Sequence, residues 1–185
     1  MTTKVQRDPG NIIYPCPVAL ITTIDNGSPN VATMCKVLNL SVADPVLVGV
    51  CIRSSTHTHK LIGQQKEFVI NFPSADLIDK VVDAGGSSGR DVKDKVSHLG
   101  LTALPAEKVS PPLIAECPVN IECRLHEIHP VGDHNLVIGE VLVEHIDEDR
   151  LSADDEPDTH LLDPLIMLHG GFWHVGDSVQ SYKGY

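Results

Sequence analysis

The chain has 185 residues, of which 42% are hydrophobic, enough for one domain with a real core. Fourteen Lys and Arg against 25 Asp and Glu leave a formal charge of −11, which argues against a nucleic-acid groove or an anionic membrane surface as partner and requires a local basic pocket for any anionic cofactor. No apolar run reaches the length of a membrane span, and the opening MTTKVQRDPG lacks a secretory apolar segment, so the expectation is a soluble cytoplasmic protein.

In chain order, residues 1–10 are polar and read as an N-terminal arm. Pro17 to Ile24, PVALITTI, is a β-branched strand, Asn26-Gly27 signals a tight turn, and Val31 to Leu38 returns as the second strand of a hairpin. Pro45 to Ile52 is an almost unbroken apolar run, expected to be buried on both faces or at a packed interface. It delivers the chain to RSSTHTHKLI, Arg53 to Ile62, where a hydroxyl-rich stretch opens a helix over about Thr56 to Gln65. A helix start offers free backbone N–H groups and a partial positive charge. Ser54, Ser55, Thr56 and Thr58 add neutral donors and Arg53 a full charge, so the segment suits a phosphate; as an alternative it is an ordinary N-cap.

Glu67 to Phe72, EFVINF, is a further strand that ends at Pro73, and Ser74 opens a helix through Val82 that stops at glycines. The loop Gly85 to Arg90, GGSSGR, is either a connector or a place where backbone amides curl around an anion, and it lacks the GK[ST] ending of a P-loop. Arg90, Lys93 and Lys95 gather positive charge around it, and Asp91 to Leu99 reads as a short helix. After a proline-rich passage, Leu104 to Pro112, two long strands, Cys117 to Ile128 and Leu136 to Ile146, form a second hairpin with His134 at its mouth. DEDRLSADDEPD is an exposed acidic loop without EF-hand spacing. The tail, PLIMLHGGFWHVGD, places Phe172 and Trp173 between His169 and His174, either as a lid over a flat ring or as a closing strand. Five cysteines, odd in number and without CxxC spacing, read as free thiols, and the scattered histidines give no zinc site. Six or more strands without a βαβ repeat make the fold mainly β with short helices, an antiparallel barrel.

Seven segments in one order, YPCPVALITTIDNGSPNVAT, ADPVLVGVCIRSSTHTHKLI, EFVINFPS, SGRDVKDK, AECPVNIECRLHEI, GDHNLVIGEV and HGGFWHVGD, resemble the flavin reductase-like, FMN-binding split β-barrel family and its flavoredoxin branch. The resemblance covers residues 11–177, leaving residues 178–185 as a tail. It implies an antiparallel, Greek-key-like split barrel, a homodimer, non-covalent FMN near the subunit interface, and electron movement between NADH or NADPH, flavin and a small-molecule or protein partner. Carried over by position, phosphate and ribityl contacts fall on Thr33, Met34, Cys35 and Arg53 to Thr58, with the SGRD turn contributing Ser88, Gly89 and Arg90. Thr58, Lys95, His134 and Phe172 or Trp173 lie close to the flavin in this comparison. Where many relatives carry a bulky residue after NVAT this chain has Met34, Cys35 and Lys36, which opens one face of the ring. The implied activity is that of an FMN-binding oxidoreductase, a flavin reductase or flavoredoxin-like carrier, in which the flavin does the chemistry and no side chain acts as general acid or nucleophile. The alternatives are an FMN-binding or storage module without NAD(P)H turnover, and a purely structural barrel.

Overall fold

The computed structural model describes residues 2–6, 8 and 15–178. Of the expected N-terminal arm, residues 2–6 and 8 carry no regular structure; its remaining positions and residues 179–185 of the tail lie outside the described residues. The strands are β1 (Cys16–Pro17), β2 (Ala19–Asp25), β3 (Ser28–Met34), β4 (Val37–Ser41), β5 (Leu47–Ile52), β6 (Glu67–Phe72), β7 (Ala103–Leu104), β8 (Leu113–Ile114), β9 (Val119–Val131), β10 (His134–Ile146), β11 (Leu165–Leu168) and β12 (Gly171–His174). The helices are α1 (His57–Gln65), α2 (Ile78–Gly86), α3 (Lys95–His98) and α4 (Thr159–Leu162).

Seven antiparallel strands form one sheet in the order β3-β2-β6-β9-β10-β5-β4. Its two edges, β3 and β4, are consecutive in the chain and joined only through Cys35 and Lys36. The sheet therefore curls until its edges meet without pairing, which is a split β-barrel. This corrects the single strand expected over Val31 to Leu38: the run is divided, its first part pairing with β2 and its second with β5. The Asn26-Gly27 turn is present, both residues with positive φ (47° and 82°), the geometry whose twist matches a two-residue hairpin.

Alternation along β2 explains why it is apolar throughout. Ala19 and Ile21 join Val48, Val50, Ile52, Phe68, Ile70 and Val137 in the barrel interior. Leu20, with the preceding Val18, faces the opposite way into a second cluster completed by Val81 and Ala84 of α2, Val96 of α3, and Ile114 and Leu165. The barrel thus has one core inside and another between its wall and the α2–α3 layer, and the functional cleft opens beside the second.

Other boundaries move for local reasons. The helix expected from Ser74 begins as a 3₁₀ turn, Ala75–Leu77, and Ser74 Oγ bonds Asp76 without capping it. α2 then runs through Gly85 and Gly86, past the stop expected at the glycines. The helix expected over Asp91 to Leu99 is reduced to α3, capped by Asp94. The second long hairpin turns tightly at Gly132-Asp133, its strands reaching further than the sequence suggests. The acidic loop includes a 3₁₀ turn, Glu148–Arg150, and the tail forms the β11–β12 hairpin, with β1 on its other side. All five cysteines are free thiols; burial first, and neighbouring carboxylates second, push the Cys117 and Cys123 thiols well up. No helix of the described residues is long and apolar enough to cross a membrane.

Candidate functional site

A cleft of about 210 Å³ lies between β3, the first turn of α1, the end of α2, the following loop (residues 87–94) and the start of α3. Thr56 caps α1: its Oγ1 accepts from the His59 N–H at 3.3 Å and donates to Arg53 O at 2.9 Å. The backbone N–H groups of His57 and Thr58 have no acceptor among the described residues, as the first turn of a helix dictates. They are the free donors of the cleft's α1 wall.

Lys95 forms its floor. The side chain is 1% exposed, and Nζ donates to Ala84 O and Ser87 O, both at 2.7 Å. No carboxylate pairs with it among the described residues, and burial pulls its pKa down to about 8. The same two bonds tie up carbonyls at the end of α2, which helps the helix continue through its glycines.

On β3, Thr33 donates its hydroxyl to Val81 O, binding the strand to α2. Asn30 is buried, and its Nδ2 lies 3.0 Å from Thr23 Oγ1 and 3.2 Å from Thr58 Oγ1. Its Oδ1 faces Gly89, where a Cβ would come within 2.0 Å of it, so the loop can close on Asn30 only with glycine at that position. His57 Nε2 pairs with Asp25 Oδ2 at 2.8 Å, while Gln65 bonds the Ile24 N–H and carbonyl. Both ends of α1 are thereby strapped to β2, which aims its N-terminus at the cleft.

Of the candidate residues, the cleft brings together Thr33, Met34, Thr56, Thr58, Ser88, Gly89, Arg90 and Lys95. Arg90 spends its guanidinium on Ser55 O, at 2.6 Å. Ser54 and Ser55 are exposed in the turn before α1, and Cys35 packs on the outer core. Arg53 is exposed and His134 lies at the end of the β9–β10 hairpin, its Nδ1 donating to Asp133 at 2.8 Å and its Nε2 3.5 Å from Lys36 Nζ. The His134 hydrogen bond first, and the Arg53 charge least, hold the Asp133 carboxyl low. Phe172 packs on the outer core beside Met167, while Trp173 is 57% exposed with Nε1 donating to Leu168 O. Within one chain, then, the aromatic tail is a closing hairpin and does not line the cleft. His57, within the stretch Arg53 to Thr58, lines it too, as does Asn30, which lies outside the contacts carried over by position. Asn30 precedes the strand expected from Val31, and it is buried because β3 begins earlier, at Ser28.

A family model described as a flavin reductase like domain matches residues 12–176. The chain belongs to the flavin reductase-like family. An uncharacterized protein of Archaeoglobus fulgidus is 36% identical over 160 residues, 86% of each chain. Flavoredoxin of Desulfovibrio vulgaris (Miyazaki F) superposes with a TM-score of 0.91 at 29% identity over 98% of each chain. Flavoredoxin from Methanosarcina acetivorans superposes with a TM-score of 0.89 at 28% identity, covering 98% of this chain and 96% of its own. Family and fold place the protein among flavin-related oxidoreductases and electron carriers.

Proposed function

We propose that the cleft binds FMN non-covalently and that the protein is a flavin reductase or flavoredoxin-like electron carrier, working as a homodimer. The observation that carries this reading is Lys95: a buried ammonium with no carboxylate partner among the described residues, next to two free helix N–H groups and the hydroxyls of Thr58 and Ser88. That donor set fits a phosphate and a polyol chain, and in a protein of net charge −11 it supplies the local positive site that an anionic cofactor needs. The likeness to the two flavoredoxins supports the same reading.

In this proposal the backbone N–H groups of His57 and Thr58 and the hydroxyl of Ser88 hold the phosphate, Lys95 adds positive charge, and Asn30 contacts the polyol. The bound flavin supplies the hydride and electron chemistry; the chain binds, orients and excludes water. A row of exposed apolar side chains on β4 and the turn after it, Leu38, Leu40, Val42 and Val46, supports the dimer. Sedimentation of the unaltered protein and of Leu40→Asp checks this, a dimer and a weakened dimer being expected.

The deciding experiment is the visible spectrum and fluorescence of purified protein with added FMN, followed anaerobically by NADH, NADPH and then dithionite. Saturable quenching of FMN fluorescence and bleaching by a nicotinamide would support a reductase. Binding with bleaching only by dithionite would make it a carrier with a different donor or a storage module, and no binding would sink the proposal.

A further inference from the structure

The loop at residues 87–94 is held by two cations acting in the same way, each donating to backbone carbonyls, in opposite surroundings. At its base, Lys95 is buried and bonds both Ala84 O and Ser87 O. At its tip, Arg90 is exposed and bonds Ser55 O at 2.6 Å. Between these points Gly89 lies against Asn30 Oδ1 and within 3.2 Å, from its Cβ position, of the His57 ring. The loop therefore forms one wall of the cleft and the turn before α1 the facing wall, and Arg90 spans them.

The two ends differ in how readily they let go. Freeing Lys95 would strand a buried charge and two carbonyls, whereas breaking the Arg90 bond exposes both partners to water, which replaces the bond at little cost. A fixed base and a weak, solvent-facing tip make a hinge and a latch.

We propose that residues 88–94 are a lid over the phosphate end of the cleft, and that Arg90 is its latch, a positioning residue that sets ligand exchange without binding the phosphate. This rests on the FMN reading above. The Arg90–Ser55 bond joins the two walls of the cleft, so it must open for a ligand to enter as well as to leave. A change that weakens it equally in both states raises association and dissociation rates by one factor and leaves the affinity in place.

The test uses Arg90→Ala and Arg90→Lys with two probes, FMN and riboflavin, the second lacking the phosphate. In stopped-flow fluorescence, Arg90→Ala should raise both rates about threefold to tenfold for both probes, with Kd constant within about twofold, and Arg90→Lys should fall between. Hydrogen exchange of the ligand-free protein should show the amides of residues 88–94 exchanging faster by a similar factor in Arg90→Ala. Loss of FMN affinity with riboflavin unaffected would make Arg90 a phosphate ligand and overturn the proposal, as would unchanged exchange in the ligand-free variant. If the unaltered protein binds neither probe, the FMN reading and the gate fall together, and hydrogen exchange still shows whether Arg90 latches the loop.

Discussion

Two loops of this protein are pinned by buried ions of opposite sign, and the contrast between them separates structure from site. Under the proline-rich passage, Glu122 is fully buried; its carboxylate accepts from the N–H groups of Glu107, Lys108 and Val109 at 2.7, 2.6 and 3.2 Å and pairs with His145 Nε2 at 2.7 Å. Beside the cleft, Lys95 has two carbonyls and no counter-charge among the described residues. Burial alone would push the Glu122 carboxyl up, but the Glu107 N–H first, then the His145 ring and the Lys108 N–H, bring it below the ordinary range. Burial is the cause that takes Lys95 down to about 8. Both values fall, with opposite meanings: Glu122 is stabilised as an ion and Lys95 is not. A buried charge whose partners are complete holds a fold together, and one left short of partners points to something that completes it.

The largest effect expected on the structural side comes from Glu122→Ala, which orphans three N–H groups and the His145 ring. Urea unfolding should show a loss of roughly 3 kcal/mol, with FMN affinity at saturating stability nearly unchanged. The pH dependence follows from the lowered value. Glu122's contribution is complete above the ordinary 4.5 and is lost as pH falls through its lower folded value. Glu122→Gln should flatten stability across that acid window; the same slope in both proteins would assign it to another carboxylate.

Lys95 provides the functional half of the comparison. Lys95→Met should weaken FMN binding by about 1–3 kcal/mol, read by fluorescence titration, while removing a buried charge that costs the free protein stability. With a folded value of about 8 against 10.5 unfolded, the unfolded chain binds more protons between these limits. Stability of the free protein therefore rises with pH across that window. FMN affinity should move the other way, falling as the free protein's ammonium deprotonates above about 8. If both trends persist in Lys95→Met, another group titrates.

Much of the fold was legible because its signals are local. Asn26-Gly27 marks a tight hairpin by its own backbone needs, and Thr56 caps α1 from within the same turn, so the hydroxyl-rich start of the cleft could be placed from the sequence. What could not be read depends on contacts distant in sequence. Cys35 and Lys36 are no turn formers, yet the chain divides there because the barrel's two edges meet. Gly85 and Gly86 stay helical because α2 packs on β3, with Thr33 at 3.5 Å from the Gly85 Cβ position, and Lys95 holds the final carbonyls. The ties of His57 to Asp25 and of Asn30 to Thr58 join residues with no telling spacing. Phe172 and Trp173 are rare aromatics in a chain with only 4% of them, but rarity does not say which way a strand faces.

The smallest predicted effect concerns the hydroxyl that links β3 to α1. Thr58 Oγ1 and Thr23 Oγ1 together fix the Asn30 amide, holding its other end toward Gly89. Thr58→Val keeps the shape and removes one of these two partners, so the amide gains freedom at the cleft wall. FMN affinity should fall by about 1 kcal/mol, roughly fivefold, and Thr58→Ser should recover most of it because the hydroxyl returns. The two variants separate hydrogen bonding from packing: loss in Thr58→Ser without loss in Thr58→Val would mean that the methyl group of Thr58 matters and the hydroxyl does not. Wild-type affinity in Thr58→Val would remove the hydroxyl from the cradle and leave the cleft's selectivity with Lys95, in keeping with the contrast between a charge that lacks a partner and polar groups that already have theirs.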